Sequence, residues 1–308
     1  MPKNRTLQRL RRFAVYCGAR LVQAIAHVLP LDSAIAFGGW MGKAAFSILG
    51  SEREKTLHHL TMAFGKEKPE AERREIGRRV FMNAGRDLAE FMLFPRWTDE
   101  RLRARIHFDH PEPLLEASRL GRGVVILGAH FGNWELMGAY AARVLGMNFG
   151  VIARRLSNPY LDQMVNAYRQ RAGVKVFPRG ERAMSLVRHL RTGGALAILG
   201  DHDMRKVKGT FVDFFGRPAN TATGPAELII RSGAQWFIIV PERLPDGCSH
   251  CLHCEGPLPV PDGEDHNAKV RRLTEEFTHR IEEFIRRHPD QWMWMHNRWR
   301  KKPKKGNG

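Results

Sequence analysis

Residues 123–138 read GVVILGAHFGNWELMG, a short apolar run that passes directly into a segment with helical spacing. An uninterrupted apolar run of this kind is typical of a strand that is buried on both faces of a sheet. Comparable runs follow at 149–154, 175–178 and 195–201, and an amphipathic segment separates each run from the next. This alternation predicts an α/β fold with a mostly parallel central sheet, covered by helices on both faces.

Further segments complete the predicted domain. Apolar runs at 210–215 and 236–243 are expected to extend the same sheet. Residues 70–93 have apolar side chains at helical spacing and are stopped by Pro95. Residues 270–284 have the pattern of a closing helix.

The first part of the chain has a different character. We expect residues 1–50 to form membrane-associating helices, and residues 51–308 to form the α/β domain with a basic C-terminal tail. The chain starts with a basic stretch followed by an apolar one, but Arg20, Gln23 and His27 interrupt the apolar run. It therefore falls short of the ~20 residues that a spanning helix needs. The pattern predicts a helix that lies in the membrane interface, with its arginines near the headgroups.

Two other segments bear on membrane contact. The apolar, glycine-rich stretch at 34–50 is either a helix packed on the first one or a segment inserted into the membrane. Near the other end, Trp292, Trp294 and Trp299 lie beside a run of basic residues. Because indoles next to Lys and Arg are typical of a cytoplasmic membrane surface, we expect this tail to contact lipid. Its last six residues alone read as a frayed terminus.

The composition limits the class of protein. The 308 residues include 50 Lys and Arg against 32 Asp and Glu, a net charge of +18, and 43% are hydrophobic. Disordered, collagen-like and small disulfide-stapled chains are excluded. The basic excess indicates a nucleic acid, an anionic membrane, or an acidic protein or phosphorylated lipid as partner. Nucleic acid is not expected, because the sequence has no zinc-finger spacing, RNP signature or basic zipper.

The cysteines favour a reducing compartment. Besides Cys17, the other three of the four cysteines lie within residues 248–254, where disulfides between neighbours would be strained. Together with His250 and His253 they could ligate a metal. In a strand, however, these side chains would alternate between two faces, so only part of the set could meet one ion. We expect a strand here and no metal site.

Polar residues leave the first strand at its carboxyl end, where ligands collect in open α/β sheets. His130 follows the strand, and Glu135 lies five residues later in the next helix, so both can face one crevice. A carboxylate fixes the tautomer of a histidine, whose other nitrogen can then take a proton from a hydroxyl. Gly132 and Asn133 provide a tight turn and a helix N-cap, and Asn133 is a candidate for substrate binding. The competing interpretation of His130 is a structural histidine.

Charged residues follow two other predicted strands. One cluster consists of Asp201, His202, Asp203 and Arg205. Another strand end carries Arg154 and Arg155, whose guanidinium groups are suited to phosphate. Because parallel strands end at the same edge of a sheet, these groups are predicted to converge on the crevice beside His130. The competing interpretation is a solvated surface loop.

Together these segments resemble the lipid A late acyltransferases of the lauroyl and myristoyl type, within the lysophospholipid acyltransferase superfamily. The resemblance runs from about residue 34 to residue 300 and rests on GAHFGNWE (128–135), VIARRLSNPYLD (151–162), DHDMRKVKGTFVDFFGRPANTATGPAEL (201–228) and HPDQWMWMHNRWR (288–300). It matches His130 and Glu135 to the His-x4-Asp/Glu motif, Arg154 or Arg155 to an arginine block, and residues 201–205 to a third block. Many members have DQD where this sequence has DHD.

The resemblance implies an O-acyltransferase at the cytoplasmic face of the bacterial inner membrane. The enzyme would move a fatty acyl chain from an acyl carrier protein thioester, or from acyl-CoA, to a hydroxyl of a lipid A precursor. His130 would deprotonate that hydroxyl while Glu135 holds the imidazole. The expected partners are the carrier protein, the phosphorylated glycolipid and anionic lipid. No cofactor is expected, because a thioester is already activated. The same chemistry would serve another acceptor, such as a glycerophospholipid, a phosphoinositol mannoside or an ornithine lipid.

Overall fold

The computed structural model describes residues 5–203 and 207–303, without the side chain of Arg5. Within these residues the helices are α1 (Arg5–Val28), α2 (Leu31–Ile48), α3 (Gly50–Phe64), α4 (Glu70–Met92), α5 (Asp99–Arg105), α6 (Glu112–Arg119), α7 (Trp134–Ala139), α8 (Pro159–Arg171), α9 (Ala183–Arg191), α10 (Gly224–Ser232) and α11 (His266–Arg287). A 3-10 turn at Phe94–Arg96 follows α4, and a π-helical turn at Tyr140–Val144 continues α7.

The central sheet is mostly parallel, as predicted. The strands of the described residues are β1 (Ile106–Asp109), β2 (Val124–Gly128), β3 (Phe149–Ala153), β4 (Lys175–Pro178), β5 (Ala195–Leu199), β6 (Gly209–Phe214), β7 (Arg217–Ala222), β8 (Gln235–Arg243) and β9 (His250–Leu258). Seven of them form one sheet in the order β1-β9-β8-β2-β5-β3-β4. From β8 to β4 all neighbours are parallel, while β9 runs antiparallel to β8 and parallel to β1.

One expected strand belongs elsewhere. Residues 210–215 do not extend the central sheet, because β6 pairs with β7 in a separate antiparallel ribbon. Phe215 and Gly216 join the two strands, and both have positive φ, +56° and +68°. Such a turn returns the chain at once beside the strand it has just left, so the hairpin closes on itself.

Both faces of β2 are buried, which accounts for its uninterrupted apolar run. Val125 and Leu127 pack with side chains of α4, α10 and α11. Val124 and Ile126 point the other way and pack with side chains of α7 and α8. All four are at most 2% exposed, so helices cover the sheet on both sides, as predicted.

The second apolar stretch forms α2, which packs closely against α4. A Cβ atom on Gly42 would lie 2.1 Å from the carbonyl oxygen of Phe81, and one on Gly85 would lie 2.2 Å from that of Gly38. Only glycine allows the two backbones to approach this closely. Of the two interpretations of this stretch, the structure has the packed helix, with α4 rather than α1 as its main partner.

The first helix has one buried and one exposed side. Gln23 is 5% exposed, and Tyr16 packs against Tyr160 of α8. Leu10 and Phe13 are 61% and 48% exposed. Among the residues that the structure describes, no helix is long and apolar enough to cross a membrane. Association of this region with a membrane surface stays a prediction.

Of the tryptophans near the C-terminus, Trp292 and Trp294 lie in the core and Trp299 is half-buried. Trp292 and Trp294 are 1% and 0% exposed, so the expectation that they contact lipid is wrong. Arg298 is 1% exposed and donates to the carbonyl oxygen of Asn220 at 2.9 Å. The indoles of Trp292 and Trp294 pack against each other and against aromatic residues of the β6–β7 ribbon. The last residues of the tail, 304–308, lie outside the described residues.

The cysteine-rich segment forms β9, as predicted for a strand. Cys251 is buried, Cys248 and Cys254 are half-buried, and the four thiols of the chain are free. Burial raises the pKa of Cys254 to about 12, which keeps that thiol protonated.

Candidate active site

The candidate site lies where three neighbouring parallel strands end. His130 follows β2, Asp201 follows β5, and Arg154 and Arg155 follow β3. Since β5 lies between β2 and β3, His130 and Asp201 come from adjacent strands and meet directly. Arg154 and Arg155 are exposed at the same edge, one strand further along.

Asp201 binds the backbone and the side chain of His130 at once. Its Oδ1 lies 2.8 Å from Nδ1 of His130, and its Oδ2 accepts the His130 backbone N–H at 2.9 Å. Trp292 Nε1 donates to the same Oδ2 at 2.8 Å. Burial would raise the pKa of Asp201, but the imidazoles of His130 and His202 and the hydrogen bonds from His130 outweigh it. The pKa of Asp201 therefore lies well below its usual range, and the carboxylate is ionised.

This contact assigns the tautomer of His130. An ionised carboxylate only accepts hydrogen bonds, so Nδ1 of His130 carries the proton that Asp201 binds. The lone pair is then on Nε2, the nitrogen that a general base uses. The side chain of His130 is 21% exposed, so the ring is held by the protein and still open on one side.

The C-terminal segment completes the surroundings of His130. Phe131 forms a β-bridge with Trp292, and the backbone N–H of Met293 donates to the carbonyl oxygen of His130 at 3.0 Å. The carbonyl oxygen of Gln291 accepts the N–H of Gly132 at 3.0 Å. Sequence reasoning missed Trp292 as a site residue, although its block was part of the resemblance, because nothing in its own spacing links it to His130.

Glu135 has a different partner from the expected one. Its carboxylate binds the guanidinium of Arg169 on α8 through two hydrogen bonds, one of them 3.0 Å between Nε and Oε2. Both side chains are 18% exposed. Glu135 starts α7 and faces α8, whereas the end of β5 brings Asp201 to Nδ1 of His130. Glu135 therefore does not hold the imidazole of His130 in the structure, which differs from the prediction; Asp201 makes that contact.

Gly132 and Asn133 shape the turn between β2 and α7. Gly132 has φ of +51°, and a Cβ atom there would lie 1.8 Å from the carbonyl oxygen of Pro241. Asn133 is the N-cap, because its Oδ1 accepts the backbone N–H of Leu136 at 3.1 Å. Its Nδ2 donates to Glu90 Oε2 at 2.7 Å, and the residue is 4% exposed. Its amide thus fixes the turn, instead of facing substrate as expected.

A buried charge cluster supports this turn. Glu90 is 0% exposed and binds Arg243 Nη1 at 2.8 Å and His250 Nε2 at 3.1 Å. Asp87 also binds Arg243, at 2.5 Å. Desolvation would raise the pKa of Glu90, but His250 and Arg243 outweigh it and lower that pKa to about 2. Sequence reasoning missed this cluster because its members are far apart in the chain.

Three histidine rings contact one another at the open side of the site, and two of them are stacked. The rings of His130 and His202 are parallel within 7° at 3.7 Å, and His202 contacts His296 at 3.9 Å. Burial lowers the pKa of His202 to about 3, so the ring is neutral at ordinary pH. His130, Asp201 and His202 offer ligand atoms within 4.8 Å of one another. Lone pairs in two parallel ring planes cannot both point at one ion, so the stack suits a metal poorly.

An apolar cavity lies close to His130, which is not itself a lining residue but contacts one, Trp134. Trp134 lies in the cavity wall and also packs against the His130 ring, with 5.1 Å between ring centroids. The Glu135–Arg169 pair forms part of the same wall. The apolar wall includes Phe91, Phe94, Met137, Phe149, Val151 and Val174. The cavity runs along β3 on the α7 and α8 side of the sheet, and its lining suits a hydrocarbon chain.

Of the two remaining predicted site residues, only Asp203 lies among the described residues. Asp203 is 4% exposed, and it accepts hydrogen bonds from Asn220 Nδ2 at 3.0 Å and from the Lys301 backbone N–H at 2.7 Å. It thereby anchors β7 and the C-terminal segment. Arg205 lies outside the described residues.

These features define a class of enzyme. A base histidine with an ionised carboxylate behind it, beside an apolar cavity, is suited to activate a hydroxyl for acyl transfer. The family model of the bacterial lipid A biosynthesis acyltransferases matches residues 1–301, and the chain belongs to this family. It is therefore an O-acyltransferase.

Curated relatives include enzymes named for two kinds of lipid. The chain is 29% identical over 285 residues to the lipid A biosynthesis lauroyltransferase of Escherichia coli (strain K12), covering 89% of this chain and 88% of that one. It is 26% identical over 263 residues to the lipid A biosynthesis myristoyltransferase of the same strain, covering 84% and 76%. It is 26% identical over 286 residues to the phosphatidylinositol mannoside acyltransferase of Mycolicibacterium smegmatis, covering 92% and 89%.

Proposed function

We propose that this enzyme transfers a fatty acyl chain from an acyl carrier protein thioester to a hydroxyl of a lipid A precursor. The reaction would take place at the cytoplasmic face of a bacterial inner membrane. The observation that carries the proposal is the hydrogen-bonded pair of His130 and Asp201 beside an apolar cavity. The pair supplies a base for the acceptor, and the cavity supplies a site for the chain of the donor.

His130 acts as the general base in this proposal. Its Nε2 takes the proton of the acceptor hydroxyl as that oxygen forms a bond to the thioester carbonyl carbon. The tetrahedral intermediate then breaks its carbon–sulfur bond, and the imidazolium returns the proton to the departing thiolate. Asp201 stabilises the imidazolium and keeps the ring in the required tautomer. The products are an ester and a free thiol.

Glu135 acts on the donor side in this proposal. Its ion pair with Arg169 joins α7 to α8 across the wall of the apolar cavity. Since α7 also carries Trp134, the pair holds the wall against which His130 packs. Glu135 is thus a positioning residue that keeps the acyl chain aligned with the base.

Exposed cations at the strand edge support an acidic acceptor. Arg154 and Arg155 are exposed one strand away from Asp201, at the edge where His130 also lies. Guanidinium groups bind phosphate oxygens through paired hydrogen bonds, so these residues are suited to the phosphates of the glycolipid. The net charge of +18 also favours an acidic carrier protein as the donor.

The exposed side of α1 is the proposed membrane contact. Leu7, Leu10 and Phe13 are exposed there, and Trp40 of α2 is 61% exposed. Apolar side chains beside the arginines of α1 are suited to a helix that lies among anionic headgroups. Sedimentation with vesicles of anionic phospholipid should retain the enzyme at moderate salt, while duplex DNA should not bind it. Release of Leu10→Glu from the vesicles would support this surface.

A different acceptor is the second candidate function. The relatives named phosphatidylinositol mannoside acyltransferases cover most of this chain at an identity close to that of the lipid A enzymes. His130 and Asp201 would deprotonate a mannoside hydroxyl by the same steps. The acceptor therefore has to be identified in the cell.

Mass spectrometry of lipid A tests the proposal directly. A strain without the enzyme is complemented with the wild-type gene, with His130→Ala or with His279→Ala, a control on the exposed side of α11. The wild type and the control should each add one acyl chain, and His130→Ala should add none. Unchanged lipid A with an altered total lipid extract would favour the second candidate. Acylation by a folded His130→Ala variant would contradict the mechanism.

A further inference from the structure

The apolar cavity shares one side chain with a second cavity. Phe94 lies in the wall of the cavity beside His130 and also in the wall of a neighbouring cavity of about 480 Å³. The rest of the wall of the second cavity is formed by Pro95, Trp97 and Tyr168 and by the polar and charged residues Thr98, Asp99, Glu100, Arg143 and Arg171. The phenyl ring of Phe94 is thus the partition between the two spaces.

An aromatic cluster holds this ring in place. Tyr168 of α8 stacks on Phe94, with 6.1 Å between centroids and 9° between planes. Phe91 contacts both rings, at 6.2 Å from Phe94 and 5.5 Å from Tyr168. Phe94 is 5% exposed, so its neighbours leave the ring little freedom to turn away.

The first helix contributes a polar anchor to this cluster. Gln23 of α1 is 5% exposed, and its Nε2 donates to the Tyr168 hydroxyl and to the carbonyl oxygen of Met92 at 2.7 Å. Met92 ends α4, directly before the turn that carries Phe94. Gln23 therefore links α1 to Tyr168, which stacks on Phe94, and to the end of α4, which precedes Phe94 in the chain.

We propose that Phe94 sets the length of the acyl chain that this enzyme transfers, and that Gln23 and Tyr168 position its ring. The inference rests on the proposed function, since it takes the apolar cavity as the site of the donor chain. In the wild type the chain ends against the Phe94 ring. A smaller side chain joins the two cavities and admits a longer chain.

The expected size of the effect follows from burial of methylene groups. Each methylene that leaves water contributes about 0.8 kcal/mol, which is about fourfold in relative rate at room temperature. A donor two carbons too long loses this contribution in the wild type and regains it when Phe94 is shortened. The preference for the longer donor should therefore rise by about fifteenfold.

The test is a competition between carrier-protein thioesters that differ only in chain length. The full-length enzyme receives an equal mixture of donors and one acceptor, and mass spectrometry gives the product ratio. Phe94→Ala should shift the products to longer chains, and Phe94→Leu should do so to a smaller extent. Phe81→Leu, a buried phenylalanine of α4 that does not line either cavity, is the matched control.

The anchor is tested in the same assay. Tyr168→Phe and Gln23→Leu keep the phenyl ring of Phe94 but remove its polar tie, so both should broaden the range of chain lengths. Gln8→Leu, on the exposed side of α1, should leave the range unchanged. A general loss of structure would lower all rates equally and would not alter the product ratio.

The outcomes separate this inference from the proposed function. An active Phe94→Leu enzyme with the wild-type product ratio would overturn the inference and leave acyl transfer intact. A wild-type enzyme that transfers no acyl chain from any donor would overturn the proposed function itself. A shift of the ratio in Phe94→Leu but not in Phe81→Leu supports the partition.

Discussion

Two buried carboxylates of this enzyme have contrasting partners. Asp201 is 3% exposed and faces imidazole and indole donors, whereas Glu90 is 0% exposed and faces the guanidinium of Arg243 as well as the imidazole of His250. A guanidinium keeps its charge at every accessible pH, so Glu90 has a permanent counter-ion. The imidazole of His130 can gain and lose a proton. Glu90 thus has a partner of fixed charge in addition to His250, which suits it to a structural role, whereas the side-chain partners of Asp201 are imidazole and indole groups, which suits it to the role proposed above behind His130.

The largest expected effect follows from removal of the charge of Asp201. Asp201→Asn keeps the size of the side chain but removes the charge that holds His130 Nδ1–H, so the ring loses its required tautomer. We expect kcat to fall by about 10²–10⁴-fold, the range of a general base, while far-UV circular dichroism stays unchanged. Steady-state kinetics on the purified enzyme measures this. A kcat close to that of the wild type would remove Asp201 from the mechanism.

The next largest effect follows from removal of the charge of Glu90. Glu90→Gln leaves Arg243 buried with only Asp87 as a counter-ion, and loss of a partner in a buried pair typically costs about 3–5 kcal/mol. We expect the free energy of unfolding in urea to fall by this order, with a smaller loss of kcat than in Asp201→Asn. Glu275→Gln, in an exposed pair with Arg271, is the control and should cost under about 1 kcal/mol. Equal losses in the two variants would contradict the distinction.

The smallest effect concerns acid stability. Because the pKa of His202 falls from 6.5 to about 3 on folding, the unfolded chain binds this proton at higher pH than the folded one. The free energy of unfolding should therefore decrease as the pH falls below about 6.5, by up to about 1.4 kcal/mol per pH unit. The ring faces His130, Asp201, His296 and Arg298.

A variant isolates the contribution of His202. His202→Phe keeps an aromatic ring against His130 but cannot bind a proton, so the slope of stability against pH should flatten below about pH 6.5. Asp201 also lowers the free energy of unfolding as the pH falls, because its pKa is lower in the folded protein than in the unfolded chain. The stabilisation from this carboxylate is present above the ordinary pKa of an Asp side chain and is lost at lower pH. That loss starts at lower pH and should survive in His202→Phe. An unchanged slope between pH 6.5 and pH 4 would contradict the assignment.

The sequence predicts the sheet well because its strands are buried on both faces. The strand around Val125 can be predicted without knowing which elements pack on it, because helices cover both of its faces and all its side chains are apolar. Helix faces are harder to predict. In α4, Leu88 matches the apolar spacing but is 57% exposed, while Glu90 is fully buried. Glu90 is buried because Arg243 of β8 binds its carboxylate. This contact cannot be predicted from the spacing of residues along α4.

The candidate site is predictable in its members but not in its contacts. His130 and Asp201 both follow apolar runs, so the sequence identifies them as strand-end residues. Which carboxylate meets the imidazole depends on the order of strands, and that order places β5, which is followed by Asp201, directly beside β2. Glu135 is nearer in sequence, but it is bound by Arg169. Trp292 reaches the site only through the fold of the C-terminal segment.

The bridge between Phe131 and Trp292 also bears on how the enzyme is made. On the ribosome, β2 and the His130 turn emerge well before Trp292, the residue that binds Asp201 and pairs with that turn. A nascent chain can therefore form most of its sheet without a finished active site. The surroundings of His130 are therefore completed only after every strand of the central sheet has been synthesised.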